Sequence, residues 1–204
     1  MTTSALLSLV ISAVVQAAVA LLIAFVWWLV TARGREPFLR WLGWHRPVGG
    51  DAGRLWAASL GTLVGFTALM ALLVPSLSGQ TATAQFHGWG WVGLPAVLVY
   101  ALLQTAFSEE TLFRGLVLKR VAARAAFWAG NATQAVLFGL IHLLPFLAVV
   151  GLGPALVIGL VTGGVGAALG VLNERLAGGS LVPGWAVHAC ANTLAGALAL
   201  VSIV

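Results

Sequence analysis

The chain has 204 residues, of which 61% are hydrophobic and 7% charged, and its formal net charge is +5. Its mean hydropathy is +1.05, and apolar runs of about 20 residues, the length of a bilayer crossing, recur along it, which excludes a soluble globular domain. Ten basic residues against five acidic ones make no basic stripe for nucleic acid, because most of them sit at the ends of apolar runs, where they set topology. The single cysteine, Cys190, excludes an intrachain disulfide. The expected class is all-α: one integral membrane domain over residues 1–204, a polytopic helical bundle of about six transmembrane helices, with room for interfacial or re-entrant helices.

The first span is expected from about Ala5 to Thr31, with Trp27 and Trp28 as interfacial anchors. No cleavable signal is expected, since Met1 to Ser4 contain no basic residue and the first apolar run is too long. The next loop holds Arg33, Arg35, Arg40, Arg46 and Arg54 against Glu36 and Asp51, and Trp41 and Trp44 suggest that it rests on the membrane surface. A second span covers roughly Leu55 to Leu77. The loop from Ser78 to Gly90 has no lysine or arginine. A third span runs from near Trp91 to Lys119-Arg120, with Pro95 in its first turn. The fourth lies between Ala129 and Leu144, with Gly130-Asn131 as its start, Asn131 as a cap and Pro145 as its stop. The fifth runs from about Pro154 to Leu172, and Gly159, Gly163, Gly164, Gly166 and Gly170 allow close helix approach. The sixth starts near Pro183, and Trp185 reads as interfacial. Basic clusters at Arg33 to Arg54, Lys119 to Arg124 and Arg175 fall on alternate loops. Six spans with both termini outside the cytoplasm satisfy the positive-inside rule at every loop.

The third span carries Glu109, Glu110 and Arg114 in an otherwise uncharged run. Charges in lipid are costly and mark function by default. Glu110 and Arg114, four apart, share a helical face and can pair. Glu109 is turned about 100° away and is the carboxylate left for chemistry. The fourth span has Phe138 and His142 four apart, and the sixth has His188 and Asn192 at the same spacing. Measured from the cytoplasmic ends, Glu109 lies roughly 15 Å deep, His142 roughly 17 Å and His188 at most about 12 Å, so the three groups can meet in one cavity. A carboxylate with a histidine can hold and deprotonate a water. A second histidine with an asparagine amide can donate to a developing oxyanion. Glu110 and Arg114 would brace the helix. The set describes hydrolysis of an acyl bond, most plausibly a peptide bond, within the membrane.

Glu109-Glu110-x-x-x-Arg114, Phe138-x-x-x-His142 and His188-x-x-x-Asn192 together resemble, in order, the three motifs of the CPBP family, the CAAX proteases and bacteriocin-processing proteins also called the ABI family. The resemblance covers about residues 90–200, the expected catalytic core. It implies that Glu109 and His142 activate the attacking water and that His188 and Asn192 stabilise the oxyanion, with Glu110, Arg114 and Phe138 in support. It also implies a peptide or protein substrate associated with the membrane: a prenylated tail, a sorting tail or a leader peptide. No cofactor is expected, because the metal-free glutamate mechanism uses both His188 and Asn192 as donors; zinc held by Glu109, His142 and His188 with an open fourth position is the alternative. The expected location is the bacterial cytoplasmic membrane.

Other readings stand beside this one. The chain could be a non-catalytic immunity or chaperone-like member that keeps the site residues, or a small transporter using Glu and His as a proton relay. Glu110 and Arg114 could be a purely structural ion pair. Phe138 reads as packing, and His45 and His87 as loop residues. Cys190 lies on another face from His188, which disfavours a cysteine nucleophile.

Overall fold

Five long apolar segments and one less apolar one dictate the architecture. The computed structural model describes residues 2–73 and 81–201, and among these there is no strand. Helix α1 spans Thr3–Thr31, and the Thr2 hydroxyl accepts from the Ala5 N–H at its start. Its buried residues Ala13, Ala17, Ala20 and Ala24 form a stripe at helical spacing. Small side chains there let the backbone approach α4, the Trp91–Ala122 helix on which α1 packs. Between them come the short helix α2, Phe38–Leu42, and α3, Ala52–Leu73. The expected second span to Leu77 therefore runs in part outside the described residues. After α4 follow α5 (Phe127–Val150), α6 (Leu152–Leu176) and α7 (Val182–Leu200).

Five helices, α1, α3, α4, α5 and α6, are long and apolar enough to cross a membrane. The protein is thus a polytopic helical membrane bundle. The expected sixth span, α7, is a helix of 19 residues but falls short on hydropathy, because His188, Asn192, Pro183 and Trp185 dilute its apolar residues.

Three sequence-based expectations are corrected. Pro145 does not stop a span: α5 passes through it to Val150. A proline removes only the hydrogen bond to the carbonyl four residues back, and membrane helices tolerate that loss. Asn131 is not a cap, since α5 begins at Phe127 and Asn131 is buried in its interior. There its Nδ2 donates to the Ala167 carbonyl of α6 at 3.1 Å and its Oδ1 accepts from Gln134 at 2.9 Å. Trp41 and Trp44 pack against the protein rather than facing outward from the loop. Trp41 is buried, and Trp44 stacks on Phe107 of α4 at 4.9 Å while its indole N–H donates to Thr111 at 3.0 Å. A large ring with one polar edge gains more from that pocket than from the interface. Trp185, half-buried, donates its indole N–H to the Leu102 carbonyl at 3.0 Å.

Glycine determines how closely α5 and α6 pack. A Cβ on Gly159, Gly163 or Gly170 would press on Leu143, on the Ala135 carbonyl or on Asn131, whereas one on Gly164 would meet nothing within 4 Å. The α2–α3 and α6–α7 connections lock together at the end of the bundle where α7 begins. Lys119 Nζ reaches Glu174 at 2.6 Å and the Gly179 carbonyl at 2.8 Å, and the Leu181 N–H donates to the Gly43 carbonyl at 2.9 Å. Gly43 closes α2 at φ +102°, and a Cβ there would strike the Gly179 carbonyl. This clamp fixes the start of α7, and hence the position of His188 two turns on.

Candidate active site

Helix α4 is mostly π-helical, over Tyr100–Phe107 and Glu110–Leu118. Wider turns of this kind are rare and cluster at functional sites. One face of it is sealed. Glu110, Thr111 and Arg114 are all 0% exposed. Arg114 Nη1 lies 3.1 Å from Glu110 Oε1. The guanidinium also stacks over the Phe138 ring at 4.4 Å. Gly166 of α6 leaves it room, since a Cβ there would sit 3.1 Å from Nη2. Asn173 supplies a third partner: its Nδ2 donates to Glu110 Oε2 at 3.1 Å, and its Oδ1 accepts from the Gly184 N–H of α7 at 2.9 Å. Glu110 is thus well partnered, whereas the Arg114 guanidinium relies on the ion pair and the ring stack, its three nitrogens being buried without a hydrogen-bond partner.

The adjacent face is open. Glu109, His142, His188 and Asn192 all border one cavity of about 260 Å³, together with Phe138 and apolar side chains of α3, α5, α6 and α7. His188 links the two faces. Its Nε2 is 3.6 Å from Glu109 Oε2, and its Nδ1 is 3.4 Å from Glu110 Oε1. Glu109 is therefore not isolated, as its helical position alone suggested, but faces a histidine. His142 Nδ1 lies 2.8 Å from the Phe138 carbonyl. A carbonyl can only accept, so Nδ1 carries the proton and the Nε2 lone pair is free. Among the described residues no carboxylate lies within 4.0 Å of His142, so a water would have to join it to Glu109. Asn192 Nδ2 donates to Thr105 Oγ1 at 2.8 Å, which leaves its other N–H and its carbonyl unused. Thr105 in turn donates to the carbonyls of Ala101 at 3.1 Å and Tyr100 at 3.2 Å, the latter five residues back as a π-turn requires.

The sequence reading did not single out Asn173, Thr105 or Gln134. The fifth span is expected to end at about Leu172, yet α6 continues through a π-helical turn over Leu172–Leu176 and buries Asn173 completely. Gln134 is also fully buried, donating to the Gly166 carbonyl at 2.9 Å. An uncharged polar residue inside an apolar run was the available signal for each. The zinc alternative does not fit the side chains as placed. Among the described residues, no three His, Cys, Asp or Glu side chains gather closely enough to hold a metal, and Glu109 with His188 lacks the third ligand that His142 would have to provide. No step below is routed through a metal.

Residues 89–194, just over half of the chain, match the family described as type II CAAX prenyl endopeptidase Rce1-like. The matched stretch contains every residue of the three motifs, from Glu109 to Asn192. No curated protein and no solved structure matches the chain significantly.

Proposed function

The chain belongs to the type II CAAX prenyl endopeptidase Rce1-like family, and from that premise we propose that it is an intramembrane endopeptidase. It hydrolyses a peptide bond in a membrane-associated substrate or C-terminal tail, using water activated by Glu109 and His142. The observation that carries this reading is the meeting of Glu109, His142, His188 and Asn192 at one cavity, with Glu109 and His188 3.6 Å apart. In the proposed reaction a water sits between Glu109 and the free Nε2 of His142. Glu109 takes its proton, and the oxygen attacks the scissile carbonyl carbon. The oxyanion that forms is met by the free amide N–H of Asn192 and by Nε2–H of His188, which in this step carries a proton on each ring nitrogen. Glu109 then returns the proton to the leaving amine, and the C–N bond breaks.

In this reading Glu110 and Arg114 do not touch substrate. Glu110, paired with Arg114 and Asn173, accepts from His188 Nδ1–H and so aims Nε2 into the cavity. Phe138 packs between Arg114 and His142, with its ring 4.5 Å from the imidazole. The apolar walls of the cavity suit a substrate arriving from lipid. Residues 90–200 form the catalytic core, α7 is the sixth crossing, and the basic loops face the cytoplasm of a bacterial inner membrane.

The test is cleavage of a panel of quenched lipidated and transmembrane peptides by the purified protein, with and without a strong chelator. Cleavage that survives the chelator and is lost in Glu109→Gln and in His142→Ala is expected. Wild-type turnover by either variant sinks the assignment. Activity lost on chelation and restored by zinc replaces the metal-free step.

A further inference from the structure

A second concavity, of about 270 Å³, lies away from the catalytic cavity, where the C-terminal ends of α1 and α4 meet the loop before α2. Arg35, Arg120 and Arg124 line it, with Glu36 and two tryptophans, Trp27 and Trp41. None of these residues enters the proposed reaction.

The three arginines are not absorbed by ion pairs. Arg120 stacks on the Trp41 ring at 3.8 Å, and one Nη donates to the Trp41 carbonyl at 3.2 Å. Its Nε is buried without a hydrogen-bond partner, an expensive state for a guanidinium unless something completes it. Glu36 instead faces Arg40, at 3.8 Å. Three guanidiniums stand against one carboxylate and two helix C-termini, each equivalent to about half a negative charge. With Glu36 shared with Arg40, the balance is net positive, which suits an anionic phosphodiester. Above the concavity, Trp27, Ile23 and Val19 follow at four-residue spacing along one face of α1 and are 43%, 49% and 49% exposed. That row starts at the arginines and runs toward the middle of the span, which is the path an acyl chain takes from its headgroup.

We propose that this concavity binds the phosphodiester headgroup of an anionic phospholipid from the cytoplasmic leaflet, with one acyl chain lying along Trp27, Ile23 and Val19. Basic pockets between spanning helices on the cytoplasmic side suit such headgroups, and each basic residue near an anionic surface contributes about a fivefold gain in binding. Trp27, near the end of α1, offers an amphipathic ring of the kind that favours the headgroup level, while the buried Trp41 backs Arg120. A lipid seated here would tie α1 to the end of α4, the helix that carries Glu109.

Native mass spectrometry of the detergent-purified full chain, titrated with dioleoyl phosphatidylglycerol, dioleoyl phosphatidylcholine or inorganic phosphate, tests the site. One tightly held phosphatidylglycerol per chain is expected, with much weaker retention of the other two. Arg35→Gln combined with Arg124→Gln removes two exposed charges and weakens retention about thirtyfold. Arg33→Gln with Arg54→Gln makes the same change in net charge outside the concavity and leaves retention as it was. Glu36→Gln, a change that cannot act by unfolding, tightens it. Equal retention of phosphatidylcholine overturns the proposal, as does an unchanged affinity in the Arg35/Arg124 variant. Inorganic phosphate binding as tightly as the lipid overturns it too, in favour of a free-anion site.

Discussion

Glu109 and Glu110 are neighbours in the chain, yet one borders a cavity of about 260 Å³ and the other is wholly buried. Glu110 meets Arg114, Asn173 and His188. Among the described residues the ion-pair partner of Glu109 is His188, and its Oε2 has no hydrogen-bond partner. The difference teaches how a membrane protein can keep a reactive carboxylate. The sealed face holds the helices together and orients a histidine. The open face is then free of any structural duty and can be spent on chemistry. The two regions should answer mutation in opposite currencies, one in stability and the other in rate.

The largest expected effect is on the sealed face. Arg114→Met strands a fully buried carboxylate and should destabilise the protein by about 3–5 kcal/mol, while the double variant Arg114→Met/Glu110→Leu recovers most of that loss. Thermal unfolding in detergent reads both. A single variant that melts like the wild type would mean that the sealed face is not the brace argued here.

Glu109→Gln is the counterpart. It should leave unfolding within about 0.5 kcal/mol of the wild type. Peptide cleavage should fall by about 10²–10⁴, the usual worth of a general base. A large loss of stability would erase the contrast between the faces.

Asn173→Ala lies between these extremes. It strips a partner from Glu110 Oε2 and from the Gly184 N–H at once, so about 2–3 kcal/mol of stability should go. Because Gly184 sits one turn before His188, KM should rise less than kcat falls. Asn173→Asp, which places a second carboxylate against Glu110, should be worse than alanine; the reverse order in a melting series would show that the amide merely fills space.

Much of this was legible because polar groups are conspicuous in an apolar chain. Glu109, Glu110, Arg114, His142, His188 and Asn192 stand out by the cost of placing them in lipid, and four-residue spacing paired two of them correctly: the Glu110–Arg114 contact is there at 3.1 Å. Which carboxylate a histidine would face was not legible. His188 reaches Glu109 and Glu110 together, and that depends on the turn geometry of α4, which a regular helical period does not contain. The same wide turns hid the end of α6 and so the burial of Asn173. Asn131 misled for another reason: Gly-Asn resembles a helix start, whereas here the glycine admits a neighbouring backbone, a Cβ on Gly130 pressing on the Leu118 carbonyl and on Ala122. Tryptophans near a span end read as interfacial, and nothing local distinguishes Trp44, which folds back onto α4.

The smallest effect sharpens the comparison most finely, because it tests how the open face is held. Thr105 gives its own proton to the backbone of a π-turn and lends a lone pair to Asn192. Thr105→Val keeps the shape and removes the bifurcated donation to the backbone and the bond from Asn192, all between neutral groups and worth about 1 kcal/mol each. Asn192 would then be free to turn, and the oxyanion would lose a well-aimed donor. A several-fold fall in kcat with KM little changed is expected, together with a loss of stability of about 2 kcal/mol at most. Thr105→Ser, which restores the hydroxyl without the methyl, should recover the rate. If serine and valine behave alike, packing of the methyl rather than the lone pair positions Asn192, and the open face depends on the bundle's walls instead of on its own hydrogen bonds.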